Sequence, residues 1–258
     1  MKDFQLDEII SRFSSITLEE MEKVRLMNRI DIKYITSMNI LSEILRCMDK
    51  NYFILEIENC RMNSYETIYL DTADSEMFIA HHNGRSKREK VRIRTYVNSH
   101  MRFLEIKKKN NKGRTSKKRI QLMHEEDYMT VATDFLISNC SYKADQLFPH
   151  VDTIFDRITL VNFEKTERLT IDINLEFKNH RTGYYLDLPD FVIIELKQDA
   201  AQRSFTRQLL SEFRLHPTGL SKYCIGSILT DTSLKRNRFK DKLVQINKLK
   251  NNQYGSIC

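Results

Sequence analysis

One pattern restricts the fold of this chain more than any other: short segments in which charged or polar residues alternate strictly with apolar ones. In RIDIKY, Arg29, Asp31 and Lys33 alternate with Ile30, Ile32 and Tyr34. In VRIRTY, Arg92 and Arg94 alternate with Val91 and Ile93, and in FLEIK, Glu105 and Lys107 alternate with Leu104 and Ile106. RLTIDINLEF sets Arg168, Thr170, Asp172, Asn174 and Glu176 against Leu169, Ile171, Ile173, Leu175 and Phe177. VIIELK sets Glu195 and Lys197 against Ile194 and Leu196. Successive side chains of a strand point to opposite faces, so each segment predicts a strand with one apolar and one charged face.

The commonest origin of such a pattern is an antiparallel sheet with one solvated face. Two features favour a different arrangement. The charged faces are rich in Arg and in opposite charges at i, i+2, whereas a solvated face mixes Lys, Glu, Thr and Ser loosely. Helices are also predicted at 17–27, 37–49, 74–82, 124–138 and 204–214, and their apolar stripes need cover. The first opens on Thr17 as N-cap with Glu20 completing a capping box. The second places Ile40, Leu41, Ile44, Leu45 and Met48 on one face. A sheet that turns its apolar side out to helices and its charged side inward must curl into a barrel with a polar lumen. Arginines and lysines converging there with a few carboxylates suit a phosphate chain and its metal.

Composition removes other classes. With only 6 Gly and 3 Pro in 258 residues, no linker is evident, and one domain over 1–232 with a tail over 233–258 is the economical division. The tail sets seven Lys/Arg (235, 236, 238, 240, 242, 248, 250) against Asp241, a local charge of +6 out of a net +7, so the body is nearly neutral. A basic tail most often reads as a solvated end, and it can also bind a polyanion. Its only aromatics are Phe239 and Tyr254, too few for base stacking, so nucleic acid ranks low as a partner. No apolar run reaches the length of a membrane helix, and the opening MKDFQLDEIISRF lacks a secretory apolar block. Five scattered cysteines without C-x-x-C fit a reducing compartment, so a cytoplasmic location is expected. No G-x-x-x-x-G-K-[ST] loop is present, and any phosphate must be held by side chains. Adjacent His81 and His82 cannot share one metal face of a helix.

The order of motifs resembles a known family. R-x-x-x-K-Y (Arg29, Lys33, Tyr34), YLDT at 69–72, R-x-R at 92–94, L-E-I-K at 104–107 and K-K-R at 117–119 follow one another as in the VTC domain, the polyphosphate polymerase branch of the triphosphate tunnel metalloenzymes. FDR at 155–157, RLTID at 168–172, VIIELK at 192–197 and GLSKY at 219–223 continue the resemblance, which spans roughly residues 25 to 230. Each motif alone is weak; the order carries the weight. The resemblance implies an α+β fold: an eight-stranded antiparallel β-barrel, a tunnel with a polar, basic lumen and helices packed outside. It implies phosphate and nucleotide contacts from Arg29, Lys33, Arg92, Arg94, Lys107, Lys118 (or its neighbour Lys117), Arg157, Arg168, Lys197 and Lys222. Lys33, Arg92, Arg94, Lys107 and Lys222 are the expected catalytic residues, and Glu195 is the expected ligand of Mn²⁺ or Mg²⁺. It further implies an enzyme that adds the γ-phosphate of ATP to a growing polyphosphate chain, without the phosphate-sensing domain and membrane anchor of eukaryotic relatives.

One departure matters. Hydrolase and cyclase members of the superfamily open with E-x-E-x-K, whereas Arg29, Asp31 and Lys33 stand here. Losing a carboxylate and gaining a cation resembles the polymerase branch. Two alternatives stay open. A triphosphate hydrolase or cyclase on the same fold would use Glu105, Asp172 or Glu176 to activate water or a hydroxyl. A non-catalytic polyphosphate or polyanion binder would show steep salt dependence and no metal requirement.

Overall fold

The computed structural model describes residues 2–22, 24, 29–199 and 203–251. Its eleven strands are β1 (Ser14–Ile16), β2 (Arg29–Ser37), β3 (Tyr52–Leu55), β4 (Asn63–Asp71), β5 (Arg88–Tyr96), β6 (Met101–Lys109), β7 (Thr115–Leu122), β8 (Phe148–Asn162), β9 (Glu167–Asn179), β10 (Tyr185–Leu188) and β11 (Phe191–Asp199). The helices are α1 (Lys2–Ser11), α2 (Leu18–Glu22), α3 (Met38–Arg46), α4 (Glu76–His82), α5 (Thr133–Asn139), α6 (Phe205–Glu212), α7 (Lys222–Thr230) and α8 (Lys240–Asn251).

Eight strands form one antiparallel path in the order β2-β11-β9-β8-β4-β5-β6-β7. Among the described residues no ladder joins β2 to β7, so the barrel of the tunnel fold is not closed by hydrogen bonds. Three short strands lie off this path: β10 on β9, β3 on β8, and β1 parallel to β3. The long strands β8 and β9 bend at a register shift between Ile154 and Asp156, opposite Asn174 at φ 51. Asn tolerates this left-handed conformation better than most residues, and such a bulge sharpens the local curl of a sheet.

The alternation fixes what each face covers. Ile158, Leu160, Leu169, Ile171, Ile194 and Leu196 are fully buried on the convex side, under α1, α3 and α6. Val91, Ile93, Leu104 and Ile106 form a second convex cluster, with Leu136 of α5 and Leu147. The helices cover apolar surface, at roughly 25 cal/mol per Å² removed from water.

α7 does otherwise and packs on the concave side, at one end. Tyr223 stacks on Tyr69 with ring centroids 5.0 Å apart. A Cβ at Gly226 would lie 2.5 Å from the Phe177 ring, so only glycine permits this approach. Register places Tyr69 opposite Arg92, and Phe177 opposite Thr153, which in turn faces Thr67. Both rings therefore share the face of the charged rows. Asp71 fastens this plug: its carboxylate accepts from the backbone N–H groups of Thr72 (2.7 Å), Met77 and Phe78 (both 2.9 Å) and from the Tyr223 hydroxyl.

Several expectations are corrected. The helix expected at 17–27 is α2; its capping box is present, with Thr17 N donating to Glu20 at 3.0 Å and Glu20 N to Thr17 Oγ1 at 3.2 Å, while residues 23 and 25–28 lie outside the described residues. The helix expected at 124–138 divides into a 3₁₀ turn at Glu125–Met129 and α5, with the β-branched Thr130 and Val131, weak helix formers, between them. Pattern reading did not anticipate α1, whose Leu6, Ile9 and Ile10 are buried. The basic tail is not merely a solvated end: Ile246 is fully buried and Phe239 is 9% exposed in the cluster that holds α7. Leu243, Ile246 and Leu249 recur every three residues, an apolar stripe that the run of charges had masked.

Candidate functional site

The concave face is built from rows of side chains set by register. On β5, Arg88, Lys90, Arg92 and Arg94 point the same way, about 6.7 Å apart at two residues per step. β6 sets Lys107 opposite Lys90 and Glu105 opposite Arg92, and β7 adds Lys117 opposite Lys107. Across the lumen, β11 pairs Glu195 with Lys33 of β2 and with Thr170 of β9, and Lys197 with Asp31 and Arg168. β8 brings Arg157 against Asp172.

Three carboxylates organise these cations, each held by two of them. Glu105, 1% exposed, accepts from Arg92 Nε at 2.7 Å and lies 2.5 Å from Lys117 Nζ. Burial alone would raise its pKa, but Arg92, Arg94 and Lys117 bring it down to about 2. Asp172 takes a two-pronged contact from Arg157, at 2.6 and 2.9 Å, and also accepts from Lys222 Nζ. Burial opposes its ionisation, yet Arg157 and then Lys222 hold it well below the usual carboxylate range. Glu195 Oε1 stands 3.4 Å from both Lys33 Nζ and Lys197 Nζ. Against the cost of burial, Lys197 and Lys33 pull it to about 2.

Arg94 differs from its neighbours. It is 7% exposed, donates to Thr67 Oγ1 at 3.2 Å, and lies over the rings of Tyr65 (5.4 Å) and Phe155 (5.8 Å). Among the described residues no carboxylate lies within ion-pair distance of it. Burial, then Arg92 and Arg157, lower its pKa to about 10. Lys107 likewise has no ion-pair carboxylate among the described residues, and Lys90 donates to Ser221 Oγ at 2.8 Å. Burial depresses both ammonium groups below their usual value. A cavity of about 30 Å³ is bounded by Tyr69, Lys90, Arg92, Glu105, Lys107 and Lys117. Cations crowded around so little compensating charge favour an anion, and a file of them favours an extended one.

The structure thus brings Lys33, Arg92, Arg94, Lys107, Arg157, Arg168, Lys197, Lys222 and Glu195 to one face by register or contact. Arg29 lies on the same strand face as Lys33 by parity, opposite Asp199; its side chain lies outside the described residues. Lys118 is the correction: it pairs with Ile106 on the convex side and is exposed, so its neighbour Lys117 takes the inward position. Period-two geometry allows only one of the two to face the lumen. Glu176 is also displaced from any common row, because the bulge at Asn174 interrupts the alternation. Sequence reading missed Lys90, although R-x-K-x-R-x-R over 88–94 extends the row by simple parity, and it missed Tyr69.

Two of these groups predict a pH profile. Burial lowers Lys197 to about 8, with Glu195 opposing and Arg157 adding to the shift. Tyr69 also falls to about 8, because Arg92, Arg94 and Lys90 outweigh its burial. As pH rises through 8, Lys197 loses a positive charge and Tyr69 gains a negative one. Affinity for tripolyphosphate, measured by calorimetry, is expected to fall several-fold between pH 7 and 9. Lys197→Arg combined with Tyr69→Phe should flatten that profile; an equally steep fall in the double variant would assign the effect elsewhere.

For a metal, the donors are hard oxygens and few. Among the described residues no three His, Cys, Asp or Glu side chains converge on one point. Ionised Glu195 fits a divalent ion of the Mg²⁺ or Mn²⁺ type, which takes one or two protein carboxylates and completes its shell with water and substrate phosphate oxygens. No described helix is long and apolar enough to cross a membrane.

The family model described as "VTC domain" matches residues 28–230. No curated protein matches the sequence. Solved structures similar to this chain include a candidate adenylyl cyclase from Hippeastrum described as having a dominant triphosphatase activity (14% identity, 77% of this chain, 94% of that chain, TM-score 0.49). Another is a candidate adenylate cyclase from Vibrio parahaemolyticus (10% identity, 77% and 97%, TM-score 0.44). A hypothetical protein from Pyrococcus furiosus is also similar (13% identity, 72% and 86%, TM-score 0.38).

Proposed function

This chain belongs to the VTC-domain family, and on that premise we propose that it is a polyphosphate polymerase using ATP inside its basic tunnel. The observation that carries the reading is the state of the charges. Glu105 and Asp172 are each saturated by two cations and held at low pKa, while buried Arg94 has no carboxylate partner among the described residues.

Phosphoryl transfer asks the protein for positioning and charge neutralisation more than for covalent chemistry. The terminal phosphate oxygen of the chain attacks Pγ of ATP, the bond from Pγ to the β–γ bridging oxygen breaks, and ADP leaves. Arg92 and Arg94 would hold the γ-phosphate, with Arg157, Lys222 and Lys107 on its neighbours and Lys33 and Lys197 on the opposite wall. Because Glu105 and Asp172 fix Arg92, Arg157 and Lys222 beforehand, little reorganisation accompanies the developing charge. Glu195 would hold Mn²⁺ or Mg²⁺ together with phosphate oxygens; such an ion, when bound, offsets charge on the transferring group.

A hydrolase or cyclase needs a carboxylate able to take a proton. Glu105 and Asp172, strongly acidic and engaged on both oxygens, are poor bases, which favours transfer to a phosphate acceptor that needs none. The test is to incubate the protein with ATP and Mn²⁺ and resolve the products on a polyphosphate gel, beside Glu195→Ala. A ladder of chains that the variant lacks supports the reading. Free phosphate or pyrophosphate without chains would replace it with the hydrolase or cyclase reading.

A further inference from the structure

The row of cations on β5 does not stop inside the tunnel. Arg94, Arg92, Lys90 and Arg88 cover about 20 Å along the strand. Arg88, with its register partner Lys109, then lines a second, larger cavity of about 700 Å³. This groove runs over the rim between the β6–β7 turn, the loop after α4 and Ser141–Tyr142. Arg85, Lys87, Arg88, Lys108, Lys109 and Arg114 all line it, and Glu89 is the single carboxylate among the lining residues. Glu89 is itself engaged, 2.9 Å from Lys108 Nζ and accepting from Ser141 Oγ at 2.6 Å.

An exposed run of cations on a convex surface is ordinarily just hydrated. Here they line a concavity, and the groove begins at Arg88, the residue that ends the file on β5. A cleft of one charge sign focuses the field and concentrates counter-ions. We infer that this rim groove is a second binding site, which seats the part of a linear polyphosphate chain lying outside the tunnel. The inference rests on the reading of the tunnel as a polyphosphate site. Tyr142 is the one aromatic in the lining, whereas single-stranded nucleic acid sites stack successive bases on several aromatics. A chain of phosphates without bases needs only the charges.

The side chains of Arg85, Lys87 and Arg114 are exposed and stand outside the tunnel rows, so Arg85→Gln, Lys87→Gln and Arg114→Gln together should leave the fold intact. Binding of tripolyphosphate and of chains of about 60 phosphates would be measured across a salt series, with ATP turnover as a separate readout. For the wild-type protein the long chain should bind at least about tenfold tighter than tripolyphosphate. In the triple variant that advantage should shrink to within about twofold, with tripolyphosphate affinity and ATP turnover unchanged. The slope of log affinity against log salt for the long chain should fall by about 2, at roughly 0.7 for each cation removed from a flexible single-chain contact.

An unchanged slope and long-chain affinity in the triple variant would overturn the groove, whatever happens to turnover. So would equal displacement of the chain by a single-stranded oligonucleotide of the same charge. If the wild-type protein makes no chains from ATP, yet loses long-chain affinity with the triple variant, the polymerase reading fails and the groove stands.

Discussion

Arg94→Met is expected to lower chain synthesis from ATP by about 10²-fold or more while raising the melting temperature. The first effect follows from the place of Arg94 in the file of cations, since removing one preorganised charge contact commonly costs about 10²–10³ in rate. The second follows from the absence of a carboxylate partner among the described residues. A buried charge without one opposes folding, and burial followed by Arg92 and Arg157 brings the Arg94 pKa to about 10. A cation whose folded-state pKa is depressed is penalised wherever it stays charged, here at every pH below about 10. Methionine keeps an unbranched apolar side chain at this position and removes the charged group that lies over Tyr65 and Phe155. A gain of about 1–3 kcal/mol, at 2–4 °C per kcal/mol for a chain of this size, should raise the melting temperature by several degrees. The checks are calorimetric unfolding without added anions and the polyphosphate gel. Loss of both stability and synthesis would mean that Arg94 holds the fold and is not poised for an anion.

The opposite stability result is expected at Asp172. Asp172→Asn leaves Arg157 and Lys222, with side chains 16% and 12% exposed, facing each other without the carboxylate that both contact. Removing one partner of a buried charge cluster costs about 3–5 kcal/mol, so the melting temperature should drop by about 10 °C. Added tripolyphosphate should restore most of that loss, and its stabilising effect should be larger on the variant than on the wild type. Unchanged stability without anions would refute the structural role given to Asp172. The sign with pH is fixed by the depressed carboxyl. Its contribution is complete above the ordinary aspartate value near 4 and is lost as pH falls from there toward the folded-state value. The wild-type protein should therefore lose this part of its stability only below about pH 4.

The row that holds Arg94 shows what could be read from the chain directly. That Arg92 and Arg94 share a face with each other but not with Val91 and Ile93 follows from period-two strand geometry, which needs no knowledge of other strands. The same holds for Lys33, Lys197 and Glu195, and for the apolar faces that helices must cover. Strand faces and the cation file are local properties, so the alternation in the chain determined them. Lys117 and Lys118 are separated by the same rule: Lys118 is in phase with the apolar Ile120 and Leu122 of its own strand, so Lys117 takes the charged face, and the register against Ile106 agrees.

Partner choice was beyond local reading altogether. Asp172 meets Arg157 fifteen residues away and Lys222 fifty residues away, and Arg92 meets Glu105 across a hairpin. Such pairs depend on how strands align and how the sheet curls, so only the tertiary structure decided that Arg94 would lack a carboxylate and its neighbours would share theirs. It also decided that α7 packs on the concave side while α1, α3, α5 and α6 pack outside, because Gly226 alone allows the close approach to Phe177. Alternation along a strand fixes which way a side chain points; what it meets there is set by residues distant in the chain, through packing and charge.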